Sequence, residues 1–420
     1  MTWNRRQFIS LSAGLLLGAC ASGSRSPETS GDRIITFWTM QLKPTFDDYM
    51  TELIAEFEQQ NPGTRIEWVD VPWGEMENKI LTAIAANSGP DVVNLNPQFA
   101  TKLAEKGALV DVETQLTPEQ KAAYFPNIWK ANRLGDVTFA LPWYVATDIT
   151  IYNRQIFEQA GLDPDNPPKT YEDLAEVAAQ IKQNTGKYAF MLTMDGGQVL
   201  ESMVQMGMTL VTPDGKAGFD NEAGRAAFQY WVDLFQQELL PREMLTAGHR
   251  RAIELYQAGE LAMLLTGPQF LQQIEENAPA IAAVTDVSKQ ISGFAGAKSA
   301  SVMNVAISEA SAHVDEALNF AAFLTNDINQ LEFSKIGNLL PSTIETAREP
   351  YFTAPEDIPT SNARIISAEQ LPQSEVLVPP LAGLDRLRTI MYEELQLAML
   401  DERSTREAIA SAKNSWDSRA

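Results

Sequence analysis

Residues 33–63 read RIITFWTMQLKPTFDDYMTELIAEFEQQNPG, and their pattern decides the class of fold. Ile34, Ile35, Thr36, Phe37 and Trp38 form a β-branched and aromatic run, the composition of a strand. Phe46, Tyr49, Met50, Leu53, Ile54 and Phe57 then recur at helical spacing, on one face. Asn61-Pro62-Gly63 stops that helix. The rhythm continues outward. Arg65 to Val71 has the pattern of a strand, Met76 to Ala86 of a helix, Asp91 to Leu95 of a strand, and Phe99 to Glu105 of a helix that Gly107 ends. Strands alternating with helices of this length build parallel sheets with helical crossovers.

A second α/β series starts near Asp148. Ile149–Tyr152 is an expected strand and Gln155–Ala160 a short helix. Thr170 with Asp173 makes a start like a capping box, and Ala189–Thr193 is a further expected strand. Leu261–Leu265 is another, cut by Gly267-Pro268. Helical periodicity runs over 198–210, 221–240, 246–258, 313–326, 327–337 and 384–412, and no internal repeat of fixed period is present. At 420 residues the chain exceeds what one hydrophobic core organises. The expectation is an α/β protein of two lobes, each a mostly parallel sheet flanked by helices.

Composition excludes several functions. With 32 basic against 55 acidic residues and a net charge of −23, a nucleic-acid surface is disfavoured, because phosphate contacts need clustered Lys and Arg. A single cysteine allows no internal disulfide, and two histidines, His249 and His313, leave little for zinc sites or histidine-based catalysis. No cofactor and no metal are expected.

The first residues carry an address. Arg5 and Arg6 precede an apolar run from Phe8 to Ala19, too short for a mature span of roughly 30 Å of hydrocarbon. Residues 1–19 therefore look like a signal peptide. Leu17-Gly18-Ala19-Cys20 resembles a bacterial lipobox, in which the cysteine is acylated and becomes the mature terminus. Asn4-Arg5-Arg6-Gln7-Phe8-Ile9 also resembles a twin-arginine export signal, with ordinary secretion as the alternative. Residues 20–32, rich in Ser and Gly, suit a lipidated flexible tether.

In open parallel sheets, ligands gather beyond the carboxyl ends of the strands. Trp38, Met40 and Lys43 lie at the end of strand one, Trp73 and Glu75 after strand two, and Asn96 and Gln98 after strand three. In the second half, Asp195 and Gln198 follow Thr193, while Gly267, Gln269 and Phe270 follow Leu265. Aromatic rings among amides and few charges suit a neutral, hydroxyl-rich ligand: rings cover the apolar faces of a sugar and polar groups bond its hydroxyls.

Ordered landmarks then carry a resemblance. They include Ala55 to Gly63, Pro72-Trp73-Gly74-Glu75, Gly89-Pro90-Asp91-Val92-Val93, Ala140-Leu141-Pro142-Trp143-Tyr144 and Phe157 to Leu162. Pro168 to Leu174, Ala262-Met263 with Gly267-Pro268, and Ala317 to Ala321 complete the set. Over about residues 33–412 the chain resembles extracellular solute-binding proteins of ABC importers, in the carbohydrate-binding branch that includes maltose-binding proteins. The resemblance implies two lobes joined by hinge strands, a ligand held between them, no chemistry, and delivery to a membrane permease by a monomer. It implies crossings near Val145–Asp148, near Val302–Val305 and within 343–350. The N-terminal lobe is then 33–146 plus about 303–346, and the C-terminal lobe 147–302 plus about 347–420. It further implies ligand contacts from Trp143 and Tyr144 at the cleft base, from Ser301, Met303 and Asn304 on the hinge side, and from Asp385 and Arg388 on a late helix.

Two departures narrow the ligand. Gly267-Pro268-Gln269 stands where relatives often have Gly-Pro-Trp, so Phe270 is the substitute platform. Asn96 and Gln98 stand where maltose binders place a charged pair. A small neutral saccharide or glycoside, such as a disaccharide, oligosaccharide or glucosylglycerol-like compound, is expected in place of linear maltodextrin. The alternatives are a glycerol-phosphate or polyol binder of the same family and, more remotely, an exported glycoside hydrolase, which needs two carboxylates about 5–9.5 Å apart. Glu75 with Asp195 is one such candidate pair, among many that so acidic a chain offers. Metal capture is disfavoured because the ten tyrosines do not cluster in the sequence.

The lipobox has a direct test. Cys20→Ser is expected to move the protein from the membrane fraction to the soluble envelope fraction. An unchanged membrane fraction overturns the assignment.

Overall fold

The computed structural model describes residues 33–293, 296–355, 359–378 and 380–418. Cys20, the signal segment and the tether lie outside them. The first sheet grows from β1 (Arg33–Met40), which lies parallel to β2 (Thr64–Val71) from Arg33↔Thr64 to Met40↔Val71. On its other edge β1 pairs parallel with β3 (Val92–Leu95). The crossovers are α1 (Asp47–Gln60) and α2 (Trp73–Ala85), and α3 (Pro97–Ala104) leaves β3. The alternating burial expected of strands follows. Ile35 and Phe37 face α1, against Met50, Leu53 and Phe57, while Met40, Val71 and Val93 face α2 and α3, against Met76, Ile80 and Leu103.

The rest of that sheet comes from later in the chain. β4 (Leu141–Thr147) passes directly into β5 (Ile149–Asn153), and β6 (Met263–Thr266) and β7 (Thr285–Lys289) precede β8 (Lys298–Ile307). The helices α4 (Val314–Leu324) and α5 (Asp327–Gly337) follow, then the short β9 (Leu340–Pro341). The order is β9-β4-β8-β3-β1-β2, and β3–β8, β8–β4 and β4–β9 are all antiparallel. The second sheet, β6-β5-β7, is antiparallel throughout. Two lobes of mixed α/β structure result, with a smaller parallel share than the alternation of elements suggests. Antiparallel pairing is open to strands that reach the sheet without a helical crossover.

The crossings follow from the pairing. Asp148 alone separates β4 in the first sheet from β5 in the second. The second passage lies between Lys289 and Lys298, ahead of the expected Val302–Val305, because β8 is already paired to β4 at Ala300↔Thr147. The third runs through the helices Pro350–Thr353 and Pro359–Gln370 to α6 (Leu384–Met399) and α7 (Thr405–Asp417).

Two local expectations change. Trp73, Gly74 and Glu75 are the first turn of α2, started by Pro72, whose carbonyl accepts from the Glu75 N–H at 2.9 Å. Residues 189–193 form no ladder beyond a single bridge at Tyr188↔Leu261. The Thr193 N–H donates instead to the Gln198 side chain at 3.0 Å, so an amide takes the place of a neighbouring strand.

Trp143 is the largest correction. It is fully buried, in contact with Phe37, Tyr144 and Phe333 at ring separations of 6.4, 5.2 and 4.6 Å. The β4–β8 register slips between Met303 and Asn304, leaving Trp143 without a partner on β8, the mark of a bulge. Its ring packs under α5 while Tyr144 remains on the cleft side. Trp143→Ala is expected to cost about 3–5 kcal/mol of stability, read by denaturant unfolding. A loss below about 1 kcal/mol contradicts this packing.

Candidate functional site

Between the lobes lies a cavity of about 400 Å³. The first lobe contributes Trp73, Tyr144, Met303 and Leu339, with Ala146 and Ser301 lower on the paired strands β4 and β8. The second contributes the 193–198 turn, Glu201, His249 and the segment from Leu265 to Phe270. Asp148 and Ser299, at the two crossings, form its floor.

Each wall has a local cause. Trp73 is the first residue of α2 and stands 46% exposed, its backbone N–H donating to Gln41 Oε1 at 3.1 Å. Phe270 starts a helix in the opposite lobe and meets the His249 ring edge-on at 5.2 Å. Aromatic surface therefore enters from both lobes. Gln198 accepts from the Thr193 N–H and hydroxyl and donates to the Leu265 carbonyl at 3.2 Å, so it braces the wall. Gly248 is required by close approach: a Cβ there would lie 2.0 Å from Asp195 Oδ2, which accepts the His249 N–H at 2.9 Å.

The cavity is acidic. Asp148, Asp195 and Glu201 line it, and no lysine or arginine does so among the described residues. Burial, with the neighbouring Glu201 carboxylate adding to it, pushes the Asp148 carboxyl up to about 7. Burial also raises Glu201, against the Ser299 hydroxyl donating to its Oε2 at 2.7 Å. Burial lowers His249, which Asp195 partly opposes, and its Nε2 lies 3.1 Å from Thr266 Oγ1.

The remaining sequence-derived candidates lie elsewhere. Trp38 is covered by Lys79, whose Nζ is 4.5 Å above the ring, and with Glu75 it lines an open groove outside α2. Met40 is a core residue. Lys43 sits over Trp68 at 4.5 Å and pairs with Asp47 at 3.4 Å. Asn96 caps α3, accepting from the Phe99 N–H at 2.8 Å. Asn304 is fully buried, its amide turned to the Val302 carbonyl at 3.3 Å. Gln98, Asp385 and Arg388 do meet between the lobes, but they bond one another: Gln98 Nε2 donates to Asp385 Oδ1 at 2.7 Å, and Arg388 donates to both residues. From the candidates the cavity wall takes Trp73, Tyr144, Asp195, Gln198, Gly267, Gln269, Phe270, Ser301 and Met303. It adds Asp148, Glu201, His249, Thr266 and Ser299. Glu201 was accessible to a periodicity argument, since it lies three residues after Gln198 on one helix. His249 carried no local signal.

Asp148 gives a pH dependence. Because its native pKa exceeds its unfolded value, the unfolded chain releases the proton first, and the native state is penalised as pH rises from about 4 to 7. Asp148→Asn is therefore expected to raise the melting temperature at about pH 8 and to lose that gain near pH 4. A gain independent of pH contradicts the assignment.

Comparison places the chain. The family model of bacterial extracellular solute-binding proteins matches residues 43–331. A solved structure from Synechococcus sp. MITs9220, assigned to oligosaccharide periplasmic binding, is 38% identical with a TM-score of 0.85, covering 92% of this chain and 98% of that one. The arabinooligosaccharide-binding protein of Bacillus subtilis is 23% identical over 54% of this chain and 52% of its own. The sn-glycerol-3-phosphate-binding periplasmic protein of Escherichia coli is 26% identical over 45% of this chain and 44% of its own. The two-lobe fold, the cleft between the lobes and this match together make the chain a bacterial extracellular solute-binding protein of the carbohydrate-binding branch.

Proposed function

We propose that this protein captures a small neutral glycoside, a disaccharide, short oligosaccharide or glucosylglycerol-like compound, between its lobes and delivers it to an ABC importer permease. The carrying observation is the make-up of the cavity. Trp73 and Phe270 approach from opposite lobes, and between them stand carboxylates, amides and hydroxyls with no lysine or arginine among the described residues. Indole and phenyl faces cover the C–H faces of a sugar ring, and Asp195, Gln269 and Ser301 accept or donate at its hydroxyl edge.

An anionic glycerol phosphate, the alternative within the family, is disfavoured by that same lining. A phosphate draws on charge-assisted bonds from Arg or Lys, whereas three carboxylates repel it. The protein acts by binding and release, without turnover. Acylation of Cys20 anchors it at the outer face of the cytoplasmic membrane, and the monomer works from there.

A thermal-shift screen tests the class, set against neutral mono- and disaccharides, glucosylglycerol, polyols and sn-glycerol 3-phosphate. A ligand at about 100 times its Kd stabilises by roughly 2.7 kcal/mol. A shift with glycerol phosphate and none with any neutral sugar reverses the reading. For the ligand that emerges, stacking that buries about 60–100 Å² of apolar surface contributes roughly 1.5–2.5 kcal/mol. Trp73→Ala and Phe270→Ala should each weaken binding about tenfold or more by calorimetry, with the variants shown folded by melting. Wild-type affinity in both removes the aromatic clamp.

A further inference from the structure

Away from the cavity and the crossing segments, α3 of the first lobe meets α6 of the second. Gln98, Lys102 and Glu105 fall at helical spacing along α3 and its C-terminal cap. Gly383 caps α6, and Asp385 and Arg388 lie in its first turns. Lys102 Nζ bridges Glu77 of its own lobe and Asp385 of the other. Gln98 binds Asp385 and accepts from Arg388 Nη1 at 3.2 Å, and the Gly383 N–H donates to Glu105 Oε1 at 3.0 Å.

Both halves of this bridge are prepared within their own lobes. Glu77 holds Lys102 on the first lobe, and Arg388 holds Asp385 at 3.0 Å on the second. Burial works against the Lys102 charge, but bonds to Asp385 and Glu77 outweigh it and hold its pKa above the usual lysine value. The bridge is also tied to the cavity wall. Tyr392, one turn beyond Arg388 on α6, donates to the Gly196 carbonyl in the turn that lines the cleft.

We propose that Lys102, Gln98 and Glu105 with Asp385, Arg388 and Gly383 form a latch that draws the lobes together before any ligand arrives. It rests on the reading of the cleft as a hinged trap, yet uses none of the cavity's own groups. Its consequence is a resting state already biased toward closure. Less of the ligand's binding energy then goes into moving the lobes, and apparent affinity rises with the fraction already closed. Because Lys102 and Asp385 retain a quarter and about a third of their exposure, the latch responds to salt.

The test needs no ligand. Full-length Cys20→Ser protein, dialysed free of bound solute, is measured by small-angle scattering at low salt and at about 1 M NaCl. Wild type is expected to expand at high salt. Lys102→Met, Asp385→Asn and the double variant are expected to be expanded already at low salt, each with a closed-to-open ratio lowered roughly two- to fivefold. The double should be no more open than either single, since each removes the same contact. A salt-independent radius of gyration in wild type overturns the latch, as does a single variant as compact as wild type or a double that opens additively. If a variant melts before measurement, the wild-type salt arm decides alone. Sugar added to the opened variants separates the two ideas: closure with sugar leaves the trap reading intact whatever becomes of the latch, and no closure in any form counts against the trap itself.

Discussion

Strands β4 and β8 run antiparallel from Leu141 against Val305 to Thr147 against Ala300, and the cleft depends on that pairing. It sets two crossings side by side, so Asp148 and Ser299 share a floor although 151 positions apart in the chain. Backbone hydrogen bonds that close so long a loop are paid for in chain entropy. The apolar cluster beneath them, with Val145, Ala300, Val302 and Leu340, offsets it. Because the pairing ends where the second lobe begins, the chain passes between the two sheets at Asp148 and again between Lys289 and Lys298.

Around that floor, charge and aromatic surface are segregated. The three carboxylates of the cavity have no cation among its lining residues, whereas the cations of the interlobe gap, Lys102 and Arg388, are spent on Asp385, Glu77 and Gln98. The cavity thus presents carboxylate acceptors, and ion pairs lie across the gap beside it. Buried carboxylates without a counter-charge destabilise the empty protein. Natural binding sites tolerate such a penalty where the ligand relieves it.

Much of the architecture was legible in residues 33–105, because period-2 and period-3.6 patterns are local and β1 and β2 show the alternating burial that such a pattern encodes. The rule that ligands gather at the ends of parallel strands placed Trp73 on a first helical turn facing the gap; Asp195 and Phe270 face it too, although Asp195 follows no strand and Phe270 an antiparallel one. The same rule misplaced Trp38 and Lys43, which end or follow β1 but are taken up by Lys79 and Trp68. Trp143 was out of reach for a different reason. A bulge shifts which side of a strand a residue faces, and nothing in the local sequence around Pro142 announces one.

By itself the sequence determined the alternation of strands and helices, the two-lobe class, and the aromatic and amide character of the strand ends. These follow from spacing along the chain, which a linear reading contains. The tertiary structure decided which of those residues share a cavity, that Gln98 and Arg388 bond across the gap with Asp385, and that His249 and Glu201 stand beside Asp195 and Asp148. Such neighbours lie tens to hundreds of positions apart, and they meet only because strand register and the points of crossing bring them together.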